Sequence, residues 1–246
     1  MIIFTDLDGS LLDHGDYSFS GALPVLSYLR KEHIPLIYTT SKTRQECLLL
    51  QKAMQISAPF IVENGACVCY PDGEEVLLGR PHEEIAAFID KYKGRFGIRA
   101  FKDMSVEEIA RHTGFSKEQA TLAKARDFSE PFLIDEKMDI AGLTAVAEEE
   151  GFKILRGGRF YHCVGAGQDK GKAVQKVLDR YPGYTSIALG DNFNDIAMLE
   201  VVDIPILIPR YGGDYIPLRL PNLIKAPYEG SRGWNEALEK VLLHES

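Results

Sequence analysis

Ile2-Ile3-Phe4, followed by Asp6-Leu7-Asp8-Gly9-Ser10, decides how the rest of the chain is read. A short continuous apolar run is the mark of a strand buried on both faces of a parallel sheet. Two aspartates at its carboxyl end then enter the crevice where open α/β sheets hold ligands. Close carboxylates repel and raise each other's proton affinity unless a cation stands between them. The pair therefore points to a divalent metal, and an all-oxygen ligand set points to Mg2+. Asp and Gly also dominate ordinary turns, and taken alone the segment fits a turn equally well.

Outward from this run the pattern repeats. Ala22, Val25, Leu26 and Leu29 have helical spacing, and Leu36-Ile37-Tyr38 is a second apolar run ending in Thr39-Thr40-Ser41. Thr43 and Glu46 form a capping-box pattern that opens a further helix. Phe60-Ile61-Val62 is a third run, ending in Glu63-Asn64-Gly65. This is βαβαβ, hence a parallel sheet, and Pro71-Asp72-Gly73 marks a hairpin that closes the unit. From Pro81 the pattern turns mixed: helices around Ile85 to Tyr92 and Ile140 to Glu150, and capping boxes at Ser105/Glu108 and Ser116/Gln119. Short strands fall at Gly97 to Phe101 and Phe132 to Ile134, with a two-residue hairpin at Gly157-Gly158. After Gly165 the α/β alternation resumes, through a helix from Lys170 to Arg180, a strand Ser186 to Leu189, a helix Asn194 to Leu199 and a run Ile204 to Ile208 broken by Pro205. Leu223-Ile224 reads as an edge strand and Trp234 to Leu243 as the closing helix. The expectation is an α/β fold: a Rossmann-like parallel-sheet core from residues 1–80 and 165–246, with an inserted α+β cap from 81–164.

Three further segments join the first at strand ends. Thr40-Ser41-Lys42 offers hydroxyls and amides at a helix start, which suits an anion, although taken alone it fits a plain helix cap better. Lys170 stands in the first turn of its helix, the unfavourable end of the dipole for a cation, so an anion fixed nearby would account for it; a solvated surface lysine is the plain alternative. Gly190-Asp191-Asn192-Phe193-Asn194-Asp195 again follows an apolar run with carboxylates.

With these four segments in order, the chain resembles the haloacid dehalogenase superfamily, and the insertion resembles the α+β cap of its sugar-phosphatase branch. A narrower resemblance is to phosphatases of sugar phosphoglycerates. It is carried by Thr40-Ser41-Lys42-Thr43-Arg44, Val62-Glu63-Asn64-Gly65-Ala66, Phe128-Ser129-Glu130-Pro131-Phe132, Gly158-Arg159-Phe160-Tyr161-His162 and Gly233-Trp234-Asn235. Ser10 departs from the usual threonine but keeps the hydroxyl. The resemblance implies Asp6 as nucleophile, Asp8 as general acid and base, and Mg2+ held by Asp6, Asp191 and the Asp8 main-chain carbonyl. Asn194 and Asp195 are expected to orient metal-bound water, and Thr40, Ser41 and Lys170 to hold the phosphoryl oxygens. The implied reaction is hydrolysis of mannosyl-3-phosphoglycerate, with the glucosyl analogue or sucrose phosphate as alternatives and a phospho-receiver domain as a reading from another class. Lys42, Asn64, Arg126, Glu130, Arg156, Arg159 and His162 are the candidate substrate contacts. The three arginines and His162 read as a local positive cluster, and Glu130 as a partner for sugar hydroxyls or for Arg126.

Composition sets the remaining bounds. The net charge of −8, with no basic run to offset it, argues against nucleic acid. No apolar stretch approaches the roughly 20 residues of a membrane span. The first residues enter a strand rather than a leader-like pattern, so the expected location is the cytoplasm. Cys47, Cys67, Cys69 and Cys163 lack zinc-site spacing and are expected to be buried free thiols.

Overall fold

The protein is described from a computed structural model covering residues 1–135 and 138–244. The larger of its two sheets has eight strands: β1 (Ile2–Thr5), β2 (Leu36–Thr39), β3 (Phe60–Val62), β4 (Cys67–Cys69), β5 (Glu75–Leu77), β10 (Ser186–Gly190), β11 (Ile204–Leu207) and β12 (Ile224–Lys225). Their order is β12-β11-β10-β1-β2-β3-β4-β5. From β12 to β3 all pairings are parallel, and β4 and β5 finish the sheet as an antiparallel meander. The strand order reverses at β1, so a crevice opens between the carboxyl ends of β1 and its neighbours.

The unbroken apolar run of β1 has a direct cause. Ile2 and Phe4 pack with Ala173, Val174 and Val177 of α7 (Lys170–Leu178), while Ile3 packs on the opposite face with Val25 and Leu26 of α1 (Leu23–Lys31). Trp234 of α9 (Gly230–His244), fully buried on that second face, donates its indole N–H to Thr5 Oγ1 at 2.9 Å. The Thr43/Glu46 capping box forms as expected and starts α2 (Arg44–Met54), which ends with Gln55 in the left-handed region.

The second sheet is antiparallel, in the order β6 (Arg99–Ala100), β7 (Ser129–Leu133), β9 (Tyr161–Gly165), β8 (Phe152–Arg156). Ile85, Phe88 and Ile89 of α3 (His82–Phe96) and Leu143 and Ala147 of α6 (Ile140–Glu149) cover it. A smaller cluster joins Ile109 of α4 (Val106–Thr113) to Ala120 and Ala123 of α5 (Lys117–Lys124). Glu63, at the end of β3, ties the two sheets together: its carboxylate accepts from the Asp127 and Phe128 amides and the Ser129 hydroxyl at 2.9, 3.1 and 2.6 Å.

Several local expectations change. The turn between β8 and β9 is a four-residue loop, Gly157 to Phe160, closed by Gly157 N–H on the Phe160 carbonyl, because pairing stops at Arg156 and Tyr161. The Asn194 to Leu199 helix is a 3-10 turn (Phe193–Asp195) running into the single turn α8 (Ile196–Leu199). Pro205 does not break β11; β12 pairs only from Ile206 onward, so the proline stands where the strand has one neighbour and a missing N–H is tolerated. All four cysteines are buried and free. Among the described residues no helix is long and apolar enough to cross a membrane.

Candidate active site

The sheet places Asp6 at the end of β1 and Asp191 at the end of the adjacent β10. The two loops run so close that a Cβ on Gly9, which has φ +85°, would lie 2.8 Å from the Asp191 carboxylate. Oxygens of Asp6, Asp191 and Asp195 fall within 4.8 Å of one another. Lys170 lies under them, fully buried, with Nζ 2.6 Å from Asp6 Oδ1 and 2.6 Å from Asp195 Oδ1. These are the anions that its place in the first turn of α7 called for. Burial alone would weaken its hold on the proton, but Asp195 and Asp6 outweigh burial and keep it charged.

One cation among three carboxylates leaves an excess of negative charge. Burial and the Asp195 charge push the Asp6 carboxyl up to about 7 against the pull of Lys170, and Asp191 is raised for the same two reasons. Such a cluster fits a divalent cation, which would remove the repulsion. Asp195 has little left to give one: Oδ1 accepts from Lys170, and Oδ2 accepts from the Asp191 and Asn192 amides, 3.0 Å each. The oxygens free to bind a metal belong to Asp6 and Asp191, while Asp195 shapes the loop that presents Asp191. Asn194 donates to Asn64 Oδ1 at 3.0 Å and so joins the β10 loop to the β3 turn.

Above the carboxylates a cavity of about 460 Å3 lies between the two sheets, lined by Asp6, Asp8, Ser41, Lys42, Asp191 and Asn194 on one side. Arg126, Arg156, Arg159 and His162 line the other. Segments flanking the two sheets touch around it. Tyr17 Oη donates to the Thr113 carbonyl at 2.9 Å, its ring lies 4.8 Å from that of Phe115, and Thr43 Oγ1 donates to the Leu122 carbonyl at 3.1 Å.

Five expected site residues do not line this cavity. Lys170 and Asp195 are beneath it, as described. Thr40 is fully buried, its Oγ1 accepting the Lys42 amide at 3.2 Å, and Ser41 faces the cavity instead. Asn64 is buried as the link to Asn194, its amide nitrogen without an acceptor. The Arg126 alternative for Glu130 is corrected: its carboxylate is buried between His82 Nε2 and the Lys102 amide.

The expected positive cluster is also reduced. Burial, with Arg126 and Lys170 nearby, pushes His162 down to about 3, so it faces the cavity as neutral imidazole with Nδ1 unpartnered. Arg126 donates to the Ser41 and Ala123 carbonyls, and Arg159 to the Thr113 carbonyl. Lys42 is held 2.8 Å from Asp8 and 3.6 Å from Glu46, with its ammonium over the Tyr17 and Phe115 rings. Sequence reasoning missed His14, Tyr17, Phe115, Asn192, Arg210 and Tyr211, which also line the cavity. Asn192 alone stood inside a segment already singled out; the others lie in loops without periodicity.

Known proteins resemble this chain along its length. It is 50% identical over 261 aligned positions, covering 98% of this chain and 97% of the relative, to a glucosyl-3-phosphoglycerate/mannosyl-3-phosphoglycerate phosphatase of Persephonella marina. Identity is 36% to the protein of the same name from Methanococcoides burtonii, with the same coverage of both chains. Among solved structures, a Thermoplasma acidophilum protein superposes with TM-score 0.73 at 20% identity, over 99% of this chain and 96% of that one. The Synechocystis sucrose-phosphatase, solved with sucrose and phosphate, gives 0.68 at 15% identity, over 99% and 97%; both show a shared fold. Residues 3–208 match the model of the haloacid dehalogenase-like hydrolases. With paired aspartates at the end of β1 and a buried lysine and a second acidic loop beside them, the chain belongs to that family.

Proposed function

We propose that the protein is a Mg2+-dependent phosphatase that converts a hexosyl-3-phosphoglycerate, mannosyl or glucosyl, to the hexosylglycerate and phosphate. The observation that carries the chemistry is the Asp6–Lys170–Asp195 arrangement. Lys170 holds Asp6 Oδ1, and among the described residues no hydrogen bond engages Oδ2, so that oxygen is available to attack phosphorus. Bound Mg2+ would supply charge neutralisation between Asp6, Asp191 and the phosphoryl group.

Asp6 attacks in line, the phosphorus–oxygen ester bond breaks, and Asp8 gives its proton to the departing alkoxide. Asp8 then takes a proton from the water that attacks the aspartyl phosphate. Ser41 and the Lys42 ammonium steady the non-bridging oxygens in this reading, with Thr40 supporting the turn that carries them. Asn194 and Asp195 keep the Asp191 loop in position. The 81–164 insertion acts as a cap that closes the cavity over the substrate, and core residues 1–80 and 165–246 perform the chemistry.

The substrate reading is supported by the relatives' names, by agreement of the sequence along its whole length, and by a cavity that carries both arginines and aromatic rings. The test is phosphate release from mannosyl- and glucosyl-3-phosphoglycerate, 3-phosphoglycerate and a simple hexose phosphate, with Mg2+ and with chelator. Equal kcat/KM across the panel would leave a general phosphatase and remove the substrate assignment.

A further inference from the structure

The cations around the cavity differ in what they already hold. Lys42 faces Asp8 and Glu46, Arg126 donates to two main-chain carbonyls, and Arg159 is bound to the Thr113 carbonyl and lies 3.3 Å from His14 Nε2. The Arg210 side chain stands apart from these among the described residues. Among the described residues its guanidinium makes no ion pair or side-chain hydrogen bond, and its Nε is buried without an acceptor. A buried donor left unpaired costs about 1–3 kcal/mol, so a fold keeps one chiefly where a ligand completes it.

The topology explains where this charge stands. β11 is the parallel neighbour of β10, so the loop carrying Arg210 rises beside the loop carrying Asp191. That loop is fixed on itself and on the core. Arg210 N–H donates to the Asp214 carbonyl at 2.8 Å, Gly212 N–H to Glu229 at 2.9 Å, and the Tyr211 ring stacks on His14 with centroids 4.9 Å apart. Arg210 lines the same cavity as Asp6, Asp8 and Asp191 but forms no ion pair with them, so its guanidinium is left for a ligand. It offers a second anion site in the same cavity.

We infer that Arg210 binds the carboxylate of the glycerate moiety and thereby selects substrates that carry one beside the phosphate. This rests on the phosphoglycerate reading above. A planar guanidinium matches a carboxylate with two parallel hydrogen bonds, which a lysine cannot reproduce. Arg156 also lacks a side-chain partner among the described residues but is exposed, where solvent weakens such a pair.

The experiment compares kcat/KM for a hexosyl-3-phosphoglycerate with kcat/KM for its counterpart whose carboxylate is reduced to hydroxymethyl. It uses the wild type, Arg210→Gln, Arg210→Lys and Arg156→Gln. The ratio of the two values within one protein is unaffected by a fraction of unfolded enzyme, which lowers both equally. Arg210→Gln should reduce the ratio by about 30-fold or more, Arg210→Lys by less, and Arg156→Gln by less than about 5-fold. A wild-type preference that survives in Arg210→Gln, or that Arg156→Gln removes instead, would overturn the assignment and leave the phosphatase reading standing. A wild type that treats both compounds alike would overturn the carboxylate assignment and leave a phosphatase; one that releases phosphate from neither would overturn the phosphatase reading as well.

Discussion

Removing the metal should make this protein less stable as pH rises from about 4 to 7, and neutralising one carboxylate should reverse part of that loss. Asp6 is pushed up to about 7 from an ordinary 3.8, first by burial and then by Asp195. The folded state therefore binds its proton more tightly than the unfolded chain. Between these two values the native state holds more protons, so the slope of unfolding free energy with pH is negative and stability falls as pH rises. Each tenfold change in proton affinity is worth about 1.4 kcal/mol, so a roughly thousandfold difference amounts to about 4 kcal/mol as an upper bound. Asp191, raised by the same neighbours, adds in the same direction. The assay is urea unfolding in chelator at pH 5.5 and pH 8, comparing wild type with Asp191→Asn. The difference between the two proteins isolates the contribution of Asp191, since Asp6 and the other titrating groups are common to both. Asp191→Asn should be the more stable at pH 8 by about 1–3 kcal/mol, with the difference smaller at pH 5.5. Adding Mg2+ should stabilise the wild type and have far less effect on the variant, because a ligand of the folded state stabilises in proportion to its occupancy. A chelated wild type that is no weaker than Asp191→Asn at pH 8 would refute the reasoning.

Asp6→Asn and Asp8→Asn should each abolish phosphate release with the fold intact by circular dichroism; Asp8→Asn alone should accumulate acid-stable phosphoenzyme, because its lost base is needed for the second half-reaction. Lys170→Met should cost about 3–5 kcal/mol by leaving Asp6 and Asp195 buried without their cation, and an urea midpoint unchanged from wild type would contradict the geometry. Gly65→Ala should destabilise by more than about 1 kcal/mol, since Gly65 has φ +91° and its added Cβ would collide with the Asp169 carbonyl oxygen; thermal unfolding reads this directly. Tyr17→Phe removes a hydrogen bond from the core to Thr113 but keeps the ring against Phe115, so it should raise KM several-fold, about 1 kcal/mol, with stability little changed.

The parallel core was legible because its strands are buried on both faces, and that burial writes itself into sequence as unbroken apolar runs. Ile2 to Phe4 is the clearest case, with alternate residues serving two different clusters. The Thr43/Glu46, Ser105/Glu108 and Ser116/Gln119 capping boxes were legible because both hydrogen bonds of each box are local. What depended on distant partners was not. The Gly157-Gly158 pair resembles a two-residue turn, but the length of that loop is set by where Arg156 and Tyr161 cease to pair. Pro205 reads as a strand breaker until the shortness of β12 is known.

The same division runs through the active site. Asp6, Asp8, Lys170 and Asp191 follow strand ends or open a helix, so their convergence could be read from topology alone. The wall opposite them is built from pairwise choices that leave no periodic trace: Glu130 turns to His82, Arg159 to Thr113, Arg126 to Ser41. Charge counted along the chain made Arg126, Arg159 and His162 look equivalent as anion binders, yet burial neutralises His162 and main-chain carbonyls occupy the two arginines. A side chain's availability is fixed by what else it can reach, and that is a property of the folded cavity. This is why recognition of the reacting phosphate could be read from motifs, while recognition of the rest of the substrate falls to Arg210, a residue that its own sequence neighbourhood did nothing to distinguish.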